Sequence, residues 1–330
     1  MSARRRVLRH AGATLLGVLC PLAAAQPARI PTVGYLIVQS MHEPPSRERQ
    51  AFLDGLRDLG YRPGATVEIV YASAENEPDF IDDVARDLVR RKPDVIVASG
   101  AVAVLAAKRA TGTIPIVALA IGDPIGTGVV RALGRPEANV TGVSFISSDL
   151  AGKRIQMITE IMPKAARIAV VWDARNANAR AESVATLAAV KQLGLAAAPY
   201  PLKTDADLQP ALERMAKSRP DALYLVFDGG TVGAHRSTIA DAALRHRIPL
   251  VSGWSALTEA GGLISYAPDI PALFRRAASY VQRLLKGASP RDLPFEQATT
   301  VELVINLATA RTLGIAIPQA LLLRADRVID

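Results

Sequence analysis

The sequence predicts an α/β protein of two lobes of one design, each on a parallel sheet, joined by hinge strands. Two observations carry that prediction. The first is a strand–loop–helix–strand unit over residues 93–122. Asp94 to Ala98 is a short β-branched apolar run, the pattern of a buried parallel strand. Ser99-Gly100 turns the chain, and Ala101 to Ala110 is an alanine-rich helix with Lys108 and Arg109 at its negative end. Ile114 to Ala120 is a second buried strand that stops at Gly122-Asp123-Pro124. Such a βαβ unit places the carboxyl ends of its strands beside a ligand crevice.

The second observation is a downstream copy. Asp221 to Phe227 reads as a strand, Asp228-Gly229-Gly230 as its loop, then a helix, then Arg247 to Val251 as the next strand. Asp94 pairs with Asp221 at an offset of 127 and Pro115 with Pro249 at 134; upstream, Val33 pairs with Ile168 at 135 and Leu59-Gly60 with Leu193-Gly194 at 134. Four landmarks in one order at nearly constant offsets predict a duplicated lobe.

In chain order, Val33 to Val38 is the first strand, and Ser46 is placed to cap a helix to Leu59, with Phe52, Leu56 and Leu59 on one face and Gly60 ending it. Thr66 to Tyr71 is the second strand, and Asp79 to Arg91 a helix with Phe80, Val84 and Leu88 inward. Val140 to Ser144 reads as a strand crossing into the second lobe. There, Lys153 to Met162 is a helix, Arg167 to Trp172 a strand, and a helix runs to Leu193. An outer strand near Ala196 to Tyr200 and a helix over Leu208 to Met215 follow. After the second βαβ unit come Gly262 to Ala267 (strand), Pro271 to Lys286 (amphipathic helix), Val301 to Ile305 (strand) and a closing helix. This tail has no counterpart in the first half, so it is expected to return to the first lobe and back. The expected division is an export signal over 1–25, lobe I over 32–143 plus 267–292, and lobe II over 144–266 plus 293–330.

Half the residues are hydrophobic and 21% are charged, which describes a chain with a large core and excludes disorder. Aromatics at 5% argue against a surface of stacking platforms for single-stranded nucleic acid or carbohydrate. Arg4, Arg5, Arg6 and Arg9 precede a short apolar run, Ala11 to Leu22, and Ala23-Ala24-Ala25 forms an A-x-A cleavage site before Gln26. The run is shorter than the roughly 20 residues that span a bilayer. The arginines also resemble a twin-arginine signal with Ala3 in place of Ser or Thr, so both export routes stay open. Cleavage near Ala25 removes four arginines and no acids, which lowers the net charge from +8 to +4 and leaves no basic cluster for nucleic acid. It also removes Cys20, the only cysteine, and with it disulfide and thiol chemistry.

The chain has no G-x-G-x-x-G fingerprint, P-loop, G-x-S-x-G elbow or H-E-x-x-H motif. His42 falls in a loop, and His235 and His246 at the two ends of one helix, which does not suit a shared metal. No catalytic set, metal site or cofactor is expected. What remains is the cleft between the lobes. Its walls are expected to be Gln39-Ser40, Ser99-Gly100 and Gly122-Asp123 on one side, and Asp173, Asp228-Gly229 and Ser252-Gly253-Trp254 on the other. Backbone N–H groups at Ala101, opening the helix after Gly100, suit a carboxylate. Asp123 or Asp228 suits an ammonium group, and Trp254 or Tyr266 an apolar side chain. Each has a plain structural alternative: Asp123-Pro124 as a turn capping a helix from about Gly126, Ser99 and Ser252 as turn residues, Trp254 as packing between lobes, and Asp173 with Arg175 and Asn176 as a helix cap.

Four segments carry a family resemblance: IPIVALAIGDPIGTGVVRALGRPEANVTGVS, AGKRIQMITEIMP, EAGGLISYAP and ELVINLATARTLGIAIP. From about Ile30 onward the chain resembles the solute-binding proteins of bacterial ABC importers, in the family that includes tryptophan and tyrosine binders. The resemblance implies the type I periplasmic-binding-protein fold, two Rossmann-like lobes closing on a small ligand, and a periplasmic monomer that delivers it to an inner-membrane ABC permease. It also implies ligand contacts from Ser99, Gly100, Ala101 and Val102, from Asp123, and from Asp228-Gly229. Relatives often carry a hydroxyl residue and a proline where this chain has Ala101-Val102, so a side-chain hydrogen bond available to them is absent here. The expected ligand is amino-acid-like and bears a carboxylate. A ligand-sensing subunit that signals to a membrane receptor is the alternative.

Overall fold

A computed structural model describes residues 29–41, 44–136, 139–145, 147–226, 230–298 and 300–330. The first lobe runs β1 (Thr32–Ile37), α1 (Arg47–Asp58), β2 (Glu68–Ser73), α2 (Ile81–Arg90), β3 (Val95–Ser99), α3 (Ala101–Ala110), β4 (Ile116–Ile121) and β5 (Val140–Ser144). The second runs α4 (Ala151–Ile161), β6 (Arg167–Asp173), α5 (Ala177–Gln192), β7 (Ala196–Leu202), α6 (Leu208–Ser218), β8 (Ala222–Leu225) and α7 (Thr231–Ala234). It continues through α8 (Arg236–Arg245), β9 (Leu250–Ser252), α9 (Ser255–Glu259) and β10 (Ile264–Pro268). The tail adds α10 (Ile270–Leu285), β11 (Glu296–Gln297), β12 (Val301–Asn306), α11 (Leu307–Leu313), α12 (Gln319–Leu322) and β13 (Arg327–Ile329).

The sheets have strand orders β2-β1-β3-β4-β5-β11 and β7-β6-β8-β9-β10-β12-β13, and among the described residues only the β10–β12 pair is antiparallel. Stripped of the tail strands, both orders are the same, so the duplication read from the sequence is a structural one. It extends to single hydrogen bonds. Asp94 Oδ2 accepts from Thr32 N at 2.7 Å, and Asp221 Oδ2 accepts from Ala166 N and Arg167 N at 2.8 and 2.9 Å. Ile96 N donates to Pro115 O at 2.8 Å as Leu223 N does to Pro249 O at 2.9 Å. Gly60 and Gly194 end their helices at φ +86° and +72°, the left-handed region that glycine enters without strain.

The chain crosses between lobes three times, after β5, between β10 and α10, and between β11 and β12. With two parallel α/β lobes, this is the type I arrangement that the resemblance implies. α10 packs along α1 so closely that a methyl on Gly55 would lie 2.6 Å from Arg275 O. Phe52 and Leu56 of α1 and Phe274, Ala277 and Val281 of α10 are buried there.

Three sequence expectations differ. α2 begins at Ile81 after a 3₁₀ turn at Pro78–Phe80 and buries Ile81, Ala85 and Leu88, while Phe80 is 59% exposed. The proline in the preceding turn shifts the start of the helix and rotates its inward face. Val140 to Ser144 is a member of the first sheet, buried throughout, and the crossing follows it. Residues 293–297, expected with lobe II, lie on lobe I: β11 pairs with β5, Thr141 Oγ1 donates to Leu293 O at 2.6 Å, and Phe295 is buried in lobe I's apolar cluster.

Candidate functional site

β3 passes directly into α3 through Gly100, whose φ of +88° is the left-handed region that glycine enters without strain. Among the described residues no side chain caps α3, as is true of most helices here; Ser46, Asn176, Asp269 and Asn306 cap α1, α5, α10 and α11. The first N–H groups of α3 therefore have no side-chain acceptor among the described residues, and they lie directly at the carboxyl end of β3. Ser99 is buried at the end of β3, and Ala101 beneath it.

β4 ends irregularly. Its register with β5 shifts between Ala118 and Ile121, and Ala120 takes φ +53°, a conformation uncommon for a side-chain-bearing residue and concentrated at functional sites. The irregularity aims the Gly122-Asp123 loop away from the sheet. Asp123 Oδ1 accepts from Ile125 N and Gly126 N at 3.1 and 2.8 Å, so its carboxylate caps its own turn, and no helix follows from Gly126. Lys108 anchors the far end of this loop through Gly128 O and Val129 O. A cavity of about 180 Å³ lies behind it, lined by Gly122, Asp123, Ile125, Ser147, Asp149 and Gln297 among others.

Ser40 is turned outward from this group. Its N–H donates to Asn76 Oδ1 at 3.1 Å and its hydroxyl to Glu75, while Gln39 O accepts from Ser73 Oγ at 2.7 Å. Both residues are committed to the β2–α2 loop at the edge of the sheet.

On the lobe II wall, Asn176 caps α5, accepting from Asn178 N and Ala179 N. Asp173 has a different role from the cap expected of it. It binds Arg175, whose Nη2 also meets Asp205 at 2.8 Å and the Thr231 hydroxyl. The Asp173 carboxylate, then that of Asp205, hold Arg175 above its ordinary value against burial. Burial pushes Asp205 up, but hydrogen bonds from Thr231 and Arg175 outweigh it and hold the carboxyl below its ordinary value. A depressed carboxylate contributes stability above its unfolded value, near 3.9, and loses it as pH falls through the folded value. Asp205→Asn is therefore expected to melt below the parent at neutral pH, with the gap narrowing below about pH 4. A gap that stays constant in melts from pH 5 to pH 3 would contradict this assignment.

Ser252 ends β9 with its hydroxyl buried and unpartnered, beside Ser265, its register partner on β10, in the same condition. Trp254 begins α9, 9% exposed, in an apolar cluster that joins Phe52 and Phe274 of lobe I to Leu225 and Ile239 of lobe II. Tyr266 packs against a different cluster, around Tyr224 and Ile155, so the two aromatics do not form one surface. Asp228 and Gly229 lie outside the described residues, as does His42. His235 and His246 bracket α8 as expected.

Among the described residues, a hydrogen bond and an ion pair cross between the lobes, and both join segments that leave the carboxyl ends of strands. Asp123 N donates to Asn178 Oδ1 at 3.3 Å, and Arg47 of α1 pairs with Glu259 of α9 at 2.8 Å. The strand ends thus face one another across the expected cleft.

Sequence reading missed one group entirely. Arg154 of α4 is wholly buried and pairs at 3.0 Å with Glu182 of α5, which is 2% exposed. Its Nη1 also donates to Ser147 O and Tyr224 Oη, each at 3.0 Å, and its Nε to Tyr266 O at 2.6 Å. Tyr224 Oη donates to Glu182 Oε1 at 2.7 Å, and the Ser147 hydroxyl to the other carboxylate oxygen. Burial works against the charge on Arg154, but Tyr224 and Glu182 outweigh it and hold the guanidinium above its ordinary value. The signal was in the helical spacing: Arg154 lies on the stripe formed by Ala151, Ile155, Ile158 and Ile161, all buried.

Comparison with known proteins agrees with the overall fold. A conserved domain protein of Vibrio cholerae superposes with a TM-score of 0.85 at 31% identity, over 91% of this chain and all of that one. An ABC domain from Streptococcus pneumoniae in complex with L-Trp gives 0.84 at 27% identity, over 91% and 99%. The tyrosine-binding protein of Clostridioides difficile is 25% identical over 279 residues, 84% of this chain and 79% of that one. Residues 36–329 match the sequence pattern of the ABC transporter substrate binding proteins. The chain belongs to that family.

Proposed function

We propose that this chain is the extracytoplasmic solute-binding subunit of an ABC importer. It captures an α-amino acid or a close analogue between its lobes and delivers it to a membrane permease. The start of α3, reached from the carboxyl end of β3 through Gly100 alone, carries the reading. It presents backbone N–H groups and a positive helix end at the cleft, which suits the carboxylate that all amino acids share. These donors do not depend on the side chains at Ala101 and Val102. The ligands named for two relatives, tyrosine and L-Trp, support the same class.

Ser99, Gly100 and Ala101 hold the carboxylate in this reading, and Asp123 and Asp228 take the ammonium group. The Asp123 carboxylate retains acceptor capacity beyond its two backbone bonds. Closing the lobes buries the ligand, and because the ligand binds the closed form better it shifts the equilibrium toward the form the permease reads. The leader at 1–25, outside the described residues, carries the chain to the periplasm.

A thermal-melt screen of amino acids and small carboxylates tests the ligand class. A ligand at about 100 times its Kd adds about 2.7 kcal/mol of stability, so the correct class raises Tm visibly. L-tryptophan is expected to do so and tryptamine, which lacks the carboxylate, is not. An unmoved Tm with every compound would overturn the class. Asp228→Ala is expected to weaken binding more than tenfold in calorimetric titration, and unchanged affinity would remove Asp228 from the site.

A further inference from the structure

Arg154 sits where the lobes are joined. The first crossing leaves β5 at Ser144 and reaches α4 at Ala151, and Arg154 Nη1 holds the carbonyl of Ser147 midway along it. The second crossing leaves β10 at Pro268, and Arg154 Nε holds the carbonyl of Tyr266 two residues before it. One rigid guanidinium therefore ties together the lobe II ends of two of the three crossings. Its plane lies against Gly253, between Ser252 and Trp254 at the cleft end of β9. A methyl on Gly253 would lie 2.6 Å from Arg154 Cζ, so only glycine leaves room for the guanidinium. Glu182 and Tyr224 fix the group from behind, and Nη2 is buried with no hydrogen-bond partner among the described residues.

This arrangement costs more than an apolar core would. Replacing a buried ion pair with packed apolar side chains is often neutral or stabilising, so this pair is weak evidence for a stability role. What an apolar side chain cannot do is hold two main-chain carbonyls of separate segments at fixed positions. We infer that Arg154 is a positioning residue for lobe closure, setting the points on lobe II from which the first two crossings bend. Gly253 is the vacancy that admits it. The inference rests on the two-lobe closure proposed above and concerns the hinge rather than the ligand contacts.

The test measures distance between lobes in the full chain, with Cys20→Ser removing its one cysteine. Spin labels go on Phe80→Cys and Leu323→Cys, both well exposed and one on each lobe. Without ligand, Arg154→Met/Glu182→Leu, which removes the hinge bonds and the charge pair together, is expected to broaden the distance distribution. It is also expected to weaken L-tryptophan binding at least tenfold. Glu182→Gln, which leaves the bonds to Ser147 and Tyr266 intact, is expected to keep the parental width. If the double variant does not melt cooperatively, Gly253→Ala decides, since it displaces the guanidinium while keeping its charge. Parental width in the folded double variant, or in Gly253→Ala, would overturn the proposal, because a purely structural pair alters Tm and leaves the distances alone. Failure of every amino acid and carboxylate of the screen, L-tryptophan included, to bind the parent would overturn the ligand class instead, and the distances would still decide the hinge.

Discussion

Arg154→Met, with Glu182 left in place, is expected to destabilise the fold by about 3–5 kcal/mol. The loss comes less from the missing attraction than from the carboxylate left behind, buried at 2% exposure with only Tyr224 and Ser147 as donors. A buried charge that loses its partner must either bear its desolvation or take up a proton. In a lobe of this size such a loss lowers Tm by on the order of 10 °C. Arg154→Met/Glu182→Leu is expected to recover most of it, since the second change removes the stranded charge. Chemical denaturation of the two single variants and the double variant measures the coupling directly. A double variant as unstable as the sum of its singles would show that the two side chains act separately.

Gly142→Ala is expected to be the most damaging single methyl in lobe I. Gly142 of β5 faces Ala118 of β4 at the point where the register between those strands begins to shift. An added Cβ would lie 2.2 Å from Ala118 O and 2.7 Å from Ala118 N. Those atoms are backbone in the middle of a sheet, so no side chain can swing aside to relieve the contact. Overpacking of this kind typically costs about 1–3 kcal/mol, and a backbone clash belongs at the upper end or beyond. The effect should reach past stability, because moving β4 also moves Gly122 and Asp123 at the cleft. A variant with the parental Tm would show that β5 can slide to make room. Gly112→Ala, with nothing within 4 Å of the new methyl, is the matching control.

The duplicated fold was legible because its landmarks are backbone punctuation. Gly60 and Gly194, Asp94 and Asp221, and Pro115 and Pro249 each perform one local task, and that task fixes the residue type. The start of α3 was legible for the same reason, since Gly100 must accept a positive φ. Roles that depend on distant partners were not. Arg154 and Glu182 meet from different helices, and a charge on a helix ordinarily reads as a solvated face. Asp173 and Asn176 are both acceptable caps in sequence, and only the position of Arg175 assigns the cap to Asn176. Ser40 lies at a strand end like the others, but its bonds to Asn76 and Glu75 depend on a loop after β2 that the sequence around it does not announce. The edge strand β11 is only two residues long and too short to show alternation.

The packing of α10 on α1 also has a consequence for synthesis. Lobe I is discontinuous: Phe52, Leu53 and Leu56 are exposed on the nascent chain until Ile270–Leu285 has been made. By then the strands of lobe II up to β10 have been made, while its β12 and β13 are still to come. A chain stopped before Ile270 therefore carries an uncovered apolar helix face, the kind of surface through which incomplete proteins aggregate. The first lobe to be started is finished only at β11, shortly before β12 and β13 finish the second, so both lobes are completed near the end of the chain.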